Sequence, residues 1–190
     1  MTHLSVFDSD DMRRVCTRIA HEIIEKNHGA SQIILVGLLR RGALLAKRLS
    51  DQIANIEGVK VPAYSLDITS ARDDLTHADP TKVDSDNDVY PESINKAVGI
   101  DLSKTKVVIV DDVLFTGRSV RAAMDVISGI SRPSGVQLAV LIDRGHRELP
   151  IRADFVGKNL GTKKDGESVL VLMEEIDEVD RVDIMQVERP

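Results

Sequence analysis

An α/β domain with a mostly parallel sheet is the fold class this sequence predicts, and three observations predict it. Runs of strand length alternate with stretches of helical periodicity. Residues 106–111 and 136–142 are largely apolar without alternation, the pattern of strands buried on both faces. No segment repeats elsewhere in the chain. With 190 residues, 42% hydrophobic and 29% charged, the chain is long enough to bury a sizeable core. Residues 1–190 are therefore read as one domain, and disordered and fibrous classes are excluded.

The elements follow in order. Met12, Val15, Cys16, Ile19 and Ile23 recur at helical spacing, after Asp8-Ser9-Asp10 as a cap and before a stop at Asn27-His28-Gly29. Residues 32–36 form a short β-rich run, followed by Gly37-Leu38-Leu39-Arg40-Arg41-Gly42 as a loop and a helix over 43–55. Residues 61–68 read as the next strand. Residues 69–100 collect Asp, Ser, Thr, Asn and Pro without a sustained period and are expected to be a long mobile loop, which in compact domains is usually functional or disordered. A strand at 106–111, a helix at 118–130 and a strand at 136–142 make a right-handed crossover unit. Shorter strands at 153–156, 168–173 and 181–187 finish the chain.

Composition excludes several function classes. No apolar run approaches the roughly 20 residues needed to span a bilayer. Met1 leads into no basic segment followed by an apolar one, so no secretory signal is expected. Cys16 is the one cysteine, which excludes an internal disulfide and a cysteine zinc cluster and fits the cytoplasm. Trp is absent, with two Tyr and three Phe, so aromatic platforms for stacking single-stranded nucleic acid are scarce. The net charge is −6, but residues 67–101 and 165–190 carry −6 and −7, leaving +7 on the rest. A basic surface and a polyanionic partner stay compatible with that distribution.

The segment with the most chemistry is Val107-Val-Ile-Val-Asp-Asp-Val-Leu-Phe-Thr-Gly-Arg-Ser-Val120. It ends an apolar strand with two carboxylates and opens a helix through a Gly-containing loop. Backbone N–H groups of that loop, with the hydroxyls of Thr116 and Ser119, suit a monophosphate at the positive end of the helix dipole. Asp111 and Asp112 suit vicinal sugar hydroxyls as hydrogen-bond acceptors. The alternative, a strand closed by ordinary capping acids, explains an isolated Thr-Gly-Arg-Ser better than it explains adjacent acids after an all-apolar run. Neither Gly-x-x-x-x-Gly-Lys-Ser/Thr nor Gly-x-Gly-x-x-Gly occurs.

This segment resembles the signature of the type I phosphoribosyltransferases for phosphoribosyl pyrophosphate (PRPP). Arg13 to Asn27, Leu66 to Leu75, and Leu141-Ile-Asp-Arg-Gly-His-Arg-Glu-Leu-Pro-Ile-Arg-Ala-Asp-Phe-Val-Gly-Lys-Asn159 narrow the resemblance to the PyrR family of pyrimidine operon regulators and uracil phosphoribosyltransferases. The likeness covers nearly the whole chain. It implies the type I phosphoribosyltransferase fold, a parallel central sheet flanked by helices with a small hood built from terminal segments. It implies an RNA-binding attenuator of the pyrimidine biosynthesis operon that senses UMP or UTP and acts on the leader mRNA, and often an enzyme joining uracil to PRPP. A homodimer or tetramer is implied too. The alternative is a plain nucleobase-salvage enzyme that binds no RNA.

The resemblance also assigns residues. Substrate binding falls on Arg40 and Arg41 and on Asp111, Asp112, Val113, Leu114, Phe115, Thr116, Gly117, Arg118 and Ser119. Catalysis falls on Asp111, Asp112, Arg41 and Arg72, the last on a catalytic arm that closes over substrate and excludes water. Mg²⁺ is expected to arrive with PRPP rather than in a protein cage, because it keeps waters and favours phosphates. Arg40 and Ala71 stand where the family carries Thr and a bulky residue, and Asn159-Leu160-Gly161-Thr162 replaces Asn-x-Pro-Thr. Weak turnover is the expectation from these departures.

For RNA, the family's contacts match Thr17, Arg18, His21, Arg147, Arg152 and Lys158. On a helix of 100° steps, Arg14, Arg18, His21 and Glu25 fall within about 40° of Arg14, with Thr17 at about 60°, opposite the apolar stripe. Taken alone, such a face is better explained by solvation. His146 adds to the second basic cluster, while His3, His28 and His77 read as surface residues.

Overall fold

A computed structural model describes residues 3–71, 89–94, 102–161 and 166–186. Strands β1 (His3–Phe7), β2 (Ile33–Leu38), β3 (Ala63–Leu66), β4 (Lys106–Leu114), β5 (Gly135–Asp143), β6 (Phe155–Asn159), β7 (Glu167–Leu172) and β8 (Arg181–Gln186) combine with helices α1 (Ser9–Asn27), α2 (Arg41–Glu57), α3 (Arg118–Ile130) and α4 (Glu174–Asp177). Five strands form a parallel sheet in the order β3-β2-β4-β5-β6, and three form a separate antiparallel sheet in the order β1-β8-β7. The smaller sheet is the hood, and it joins the first strand of the chain to two of the last.

The central strands are apolar throughout because each side of the sheet is covered. Leu35, Val108, Val110, Ala139 and Leu141 pack with α1 and α2. Their neighbours Ile34, Val36, Val107, Ile109, Leu138 and Val140 pack on the other side with Val120, Ala123 and Ile127 of α3. Opposite faces of alternate residues are what strand geometry demands. Burying this much apolar surface is the dominant favourable term in holding the layers together.

Helix α1 begins where its sequence signals begin. Asp8 accepts a hydrogen bond from the Asp11 N–H at 2.8 Å, and Asp11 accepts one from the Asp8 N–H at 3.3 Å, a reciprocal capping box. The helix stops at His28, in the left-handed region with φ 57°. Met12, Cys16, Ile19, Ala20 and Ile23 are buried. Burial pushes the Cys16 thiol up to about 11, so it packs as an apolar group. No helix among the described residues is long and apolar enough to cross a membrane.

Boundaries shift in four places, one of them the strand expected at 153–156, which is observed as β6 at Phe155–Asn159. The strand expected at 32–36 runs to Leu38 and the helix expected at 43–55 starts at Arg41, which leaves Leu39 and Arg40 alone as the connection. The strand expected at 106–111 continues to Leu114 because residues 111–114 still pair with β5. The strand expected over 61–68 is confined to Ala63–Leu66, followed by a single 3-10 turn at Thr69–Ala71. Strand β1 and helix α4 are additions to the sequence expectation. Of residues 69–100, expected to be one mobile loop, 72–88 and 95–100 lie outside the described residues, as does Arg72. Within the described part, Ser93 bridges Ser65 and Ile94 is buried.

Candidate functional site

The sheet order reverses between β2 and β4. From β2 the chain crosses to β3 on one side, and from β4 it proceeds to β5 and β6 on the other. Such a switch point opens a crevice at the carboxyl ends of the strands, where ligands of open α/β sheets bind. The expected site residues converge there. A cavity of about 370 Å³ is lined by Arg40, Arg41, Thr69, Asp111, Asp112 and Ser119 together with apolar neighbours. A second, of about 490 Å³, is lined by Asp111, the stretch from Val113 to Val120, and Glu148.

The second cavity has the features expected of a phosphate cradle. Gly117 caps α3 with φ 94° and offers no side-chain cap of its own, while the Arg118 N–H donates to the Thr116 hydroxyl at 3.4 Å. A side chain at Gly117 would be strained in that conformation and would press on Ile151 and Leu149, at 3.3 and 3.5 Å. The Thr116 carbonyl accepts from the N–H groups of Glu148 and Leu149, at 3.1 and 3.2 Å, which ties the loop to residues 144–151. Arg118 is drawn sideways to Glu148, at 2.8 Å from Nε and 2.7 Å from the terminal nitrogen. Hydroxyls of Thr116 and Ser119 line the rim.

Asp111 and Asp112 lie in the second half of β4. The Asp112 N–H donates to Asp111 at 3.0 Å, and the Val113 N–H donates to Asp112 at 2.7 Å. Burial pushes the Asp112 carboxyl above its ordinary value, opposed by the Val113 N–H and by the positive charge of Arg41. Gly42 is required here: a Cβ would lie 2.5 Å from the Val110 carbonyl oxygen and 3.1 Å from the Asp111 Cα. Its absence lets the first turn of α2 approach the acidic pair and brings Arg41 with it.

Arg40 is exposed and Arg41 half-buried, and the Leu39–Arg40 peptide is cis. Arg41 donates to both Asp177 oxygens of α4 at 3.0 Å, while its buried Nε has no partner. Two turns further along α2, Arg48 is clamped by Glu175 and Asp180 at 2.6 and 2.7 Å. Burial works against its charge, but these bonds hold its pKa above the ordinary value. The two arginines thus fasten the hood to α2.

Among the described residues, no group of three or more His, Cys, Asp or Glu side chains is arranged to hold a metal ion. Two carboxylates beside a cavity with arginines form a donor set that fits a cation carrying its own waters and phosphate ligands.

Sequence reasoning missed a third cavity of about 200 Å³, lined by Val113, Phe115, Arg144, Glu167, Ser168 and Val169. Val113 and Phe115 are shared with the phosphate cavity. Glu167, Ser168 and Val169 come from β7, far along the chain, so no local motif announced it. Asp177 was missed for the same reason.

The basic residues expected to meet RNA divide into two groups. Arg18 and His21 are exposed on α1, and Thr17 is half-buried beside Gln52 at 3.2 Å. Arg18 donates to the carbonyls of Val156 and Gly157, at 3.1 and 2.6 Å, and pairs with Glu22. Lys158 stands over the Phe7 ring at 5.3 Å, and Lys26 reaches Asp154 at 2.5 Å. These cations therefore follow the edge strand β6. Arg152 is exposed, with no ion pair among the described residues. Arg147 differs. It donates to the carbonyls of Ile151 and Phe115, both at 2.9 Å, and to Asp143 at 2.5 Å, so its guanidinium braces the phosphate loop. These bonds tie Arg147, expected to meet RNA, to the loop at Phe115 as well as to the basic stretch it stands in.

A strand-end acid pair, a glycine-capped phosphate cradle and an arginine loop at the switch point define a phosphoribosyltransferase-type protein. The model of the phosphoribosyl transferase domain matches residues 4–170. The bifunctional protein PyrR of Clostridium perfringens is 50% identical over 182 residues, covering 96% of this chain and 97% of its own. That of Caldicellulosiruptor bescii is 50% identical over 184 residues, covering 97% and 96%. Among solved structures, the hypoxanthine phosphoribosyltransferase of Trypanosoma cruzi matches with a TM-score of 0.68 at 15% identity over 97% of both chains, a likeness of fold. The chain therefore belongs to the phosphoribosyl transferase domain family and, within it, to the bifunctional PyrR proteins.

Proposed function

We propose that this protein is a uridine-nucleotide-dependent RNA-binding regulator that attenuates transcription of the pyrimidine biosynthesis operon, and that it also makes UMP and pyrophosphate from uracil and PRPP. The observation that carries the reading is the acid pair and phosphate cradle at the switch point, in a chain half identical to bifunctional PyrR proteins over nearly its full length. The working assembly is a homodimer or tetramer in the cytoplasm.

The chemistry assigns the residues their work. N1 of uracil forms a bond to ribose C1 as the bond from C1 to pyrophosphate breaks, and the N1 proton passes to the departing pyrophosphate. The transition state is oxocarbenium-like, so catalysis consists of holding the sugar and neutralising the leaving group. The amides around Gly117, with Thr116 and Ser119, hold the 5-phosphate. Asp111 and Asp112 accept hydrogen bonds from the ribose hydroxyls and fix C1 in place. Arg40 and Arg41 meet the pyrophosphate oxygens. Arg72 belongs to the arm that closes over them. Mg²⁺ bound with PRPP supplies further charge neutralisation, with Asp111 and Asp112 as the carboxylates that would hold its waters. The bound product is also the effector, so one nucleotide site serves both activities.

RNA meets the cations along α1 and β6, with Arg18, His21, Arg152 and Lys158 at the surface and Thr17 beside them. Phosphate contacts supply affinity, and unpaired loop bases supply sequence choice. The test is a paired assay on one preparation: UMP formation from uracil and PRPP, and filter binding of a pyrimidine-operon leader transcript with and without UMP. Both activities are expected. UMP formation without RNA binding would favour the plain salvage enzyme instead.

A further inference from the structure

The two arginines that join the hood to α2 are held differently. Arg48 meets Glu175 and Asp180 through four hydrogen bonds that use its Nε and both terminal nitrogens. Every arm of that guanidinium is engaged in docking. Arg41 engages one. Both of its bonds to Asp177, at 3.0 Å, leave from the same terminal nitrogen, and its buried Nε has no hydrogen-bond partner among the described residues. A planar fork of five N–H donors held by a single corner keeps donors in reserve. A buried donor without an acceptor is destabilising, and a contact that served docking alone would have no reason to retain one.

Arg41 lines the cavity of about 370 Å³ with Arg40, Thr69, Asp111 and Asp112, and its positive charge is felt at Asp112. Its anchor is fixed in turn. The Asp177 carboxylate also accepts from the Met173 N–H at 2.9 Å, and the Asp177 N–H donates to the Met173 carbonyl at 2.7 Å, so carboxylate and backbone are both held. We propose that Asp177 is a positioning residue for the transfer reaction: it holds Arg41 by one corner so that the remaining donors meet the pyrophosphate of PRPP, and it serves synthesis without serving the effect of UMP on RNA binding. The second half follows from the ligands. UMP carries a single phosphate, which belongs in the cavity at Gly117, and has no pyrophosphate for Arg41 to meet. A guanidinium oriented in advance loses less freedom when the anion arrives than a swinging one, and that gain goes to PRPP alone. Hood docking does not need the Arg41 contact, because the four bonds of Arg48 remain without it. This inference rests on the nucleotide-site reading above and adds a hood residue that acts through Arg41.

Calorimetric titration of the full chain with PRPP in the presence of Mg²⁺, and separately with UMP, tests it on the native protein, Asp177→Asn, Arg41→Gln and the double variant. Asparagine keeps the volume and an acceptor for the Met173 N–H while removing the charge. PRPP affinity in Asp177→Asn is expected to fall about tenfold or more, the usual consequence of removing a partner that orients a ligand-holding side chain. UMP affinity, and the effect of UMP on binding of the leader transcript, stay as in the native protein. In the Arg41→Gln background the same substitution lowers PRPP affinity no further, because it acts only through Arg41. Unchanged or tighter PRPP binding in Asp177→Asn overturns the proposal, the tighter case making the carboxylate a competitor of pyrophosphate. Equal loss of PRPP and UMP affinity makes Asp177 a scaffold residue and overturns it too, as does a further loss in the double variant. A native protein that binds neither PRPP nor UMP overturns the nucleotide-site reading itself.

Discussion

The phosphate cradle draws Asp111, Asp112, Thr116 and Ser119 from one continuous junction between β4 and α3, whereas the cavity around Arg144 draws its walls from β4, the end of β5 and β7. The first is held by local backbone geometry: a glycine in the left-handed region at the helix start, and amides donating to the preceding carboxylates. The second exists only after the hood has docked, through Arg41 and Arg48 on α4 and its flank. The difference teaches that the proposed phosphate site is written into one segment, while the cavity around Arg144 and the proposed pyrophosphate site depend on how distant segments meet. Arg147 joins the two plans, because it reaches from the loop after β5 to the Phe115 carbonyl.

Asp112→Asn and Thr116→Ala attack the local plan and carry the largest expected effect. UMP synthesis is abolished, and UMP affinity measured by calorimetry falls by about 1.5–3 kcal/mol, the worth of a hydrogen bond involving a charged group. Unchanged UMP affinity in either variant would show that the acid pair and cradle are ordinary capping groups.

Next in size is the contrast between Arg147→Gln and the surface pair Arg18→Gln and Arg152→Gln. Arg147 braces the phosphate loop, so its replacement lowers both UMP and RNA affinity. Arg18 and Arg152 lie away from the cradle, so their replacement lowers RNA affinity alone and reduces the salt slope by about 0.7 per lost phosphate contact. Titrating UMP and leader RNA across salt concentrations on all three proteins separates the cases. Equal loss of UMP affinity in all three would erase the distinction between RNA face and nucleotide site.

A smaller effect is expected where family residues are replaced. Arg40→Thr with Ala71→Tyr restores the family's residues on the two loops that handle pyrophosphate, and kcat for UMP synthesis should rise from a weak native value. A native rate equal to that of a vigorous salvage enzyme, or no gain in the double variant, would make the replacements neutral.

The smallest is a shift in pH dependence. The ionised Asp112 carboxylate is the form that accepts from ribose hydroxyls, and burial raises its pKa. As pH falls, it therefore protonates sooner than an ordinary aspartate near 3.9. The acid limb of the native protein's kcat/KM should lie above the ordinary carboxylate range. A limb at the ordinary position would assign it to an exposed acid.

The same contrast explains what could be read before folding. The helix at Arg118–Ile130 matches its expected bounds, because Thr-Gly-Arg-Ser supplies the turn and Val120, Ala123 and Ile127 supply the stripe. The apolar β4 and β5 were equally legible, since burial on both faces leaves a continuous run. Strand β1 was not, because Leu4 is exposed and its pairing partner β8 lies at the other end of the chain. Arg144 and Arg147 stand three residues apart in one basic stretch, and only tertiary contacts distinguish the unpaired, buried one from the one that braces Phe115. Arg41 was assigned to the substrate by resemblance, but its ion pair with Asp177 was not legible because the two stand 136 residues apart in the chain.

The central claim is that one nucleotide site controls RNA binding from a different face of the molecule. Filter binding of the leader transcript to native protein and Asp112→Asn, each with and without saturating UMP, tests it most directly. The account predicts that UMP strengthens RNA binding by the native protein, while Asp112→Asn binds RNA at the nucleotide-free level whether or not UMP is present. A variant that still responds to UMP as the native protein does, or a native protein whose RNA binding ignores UMP, would contradict it.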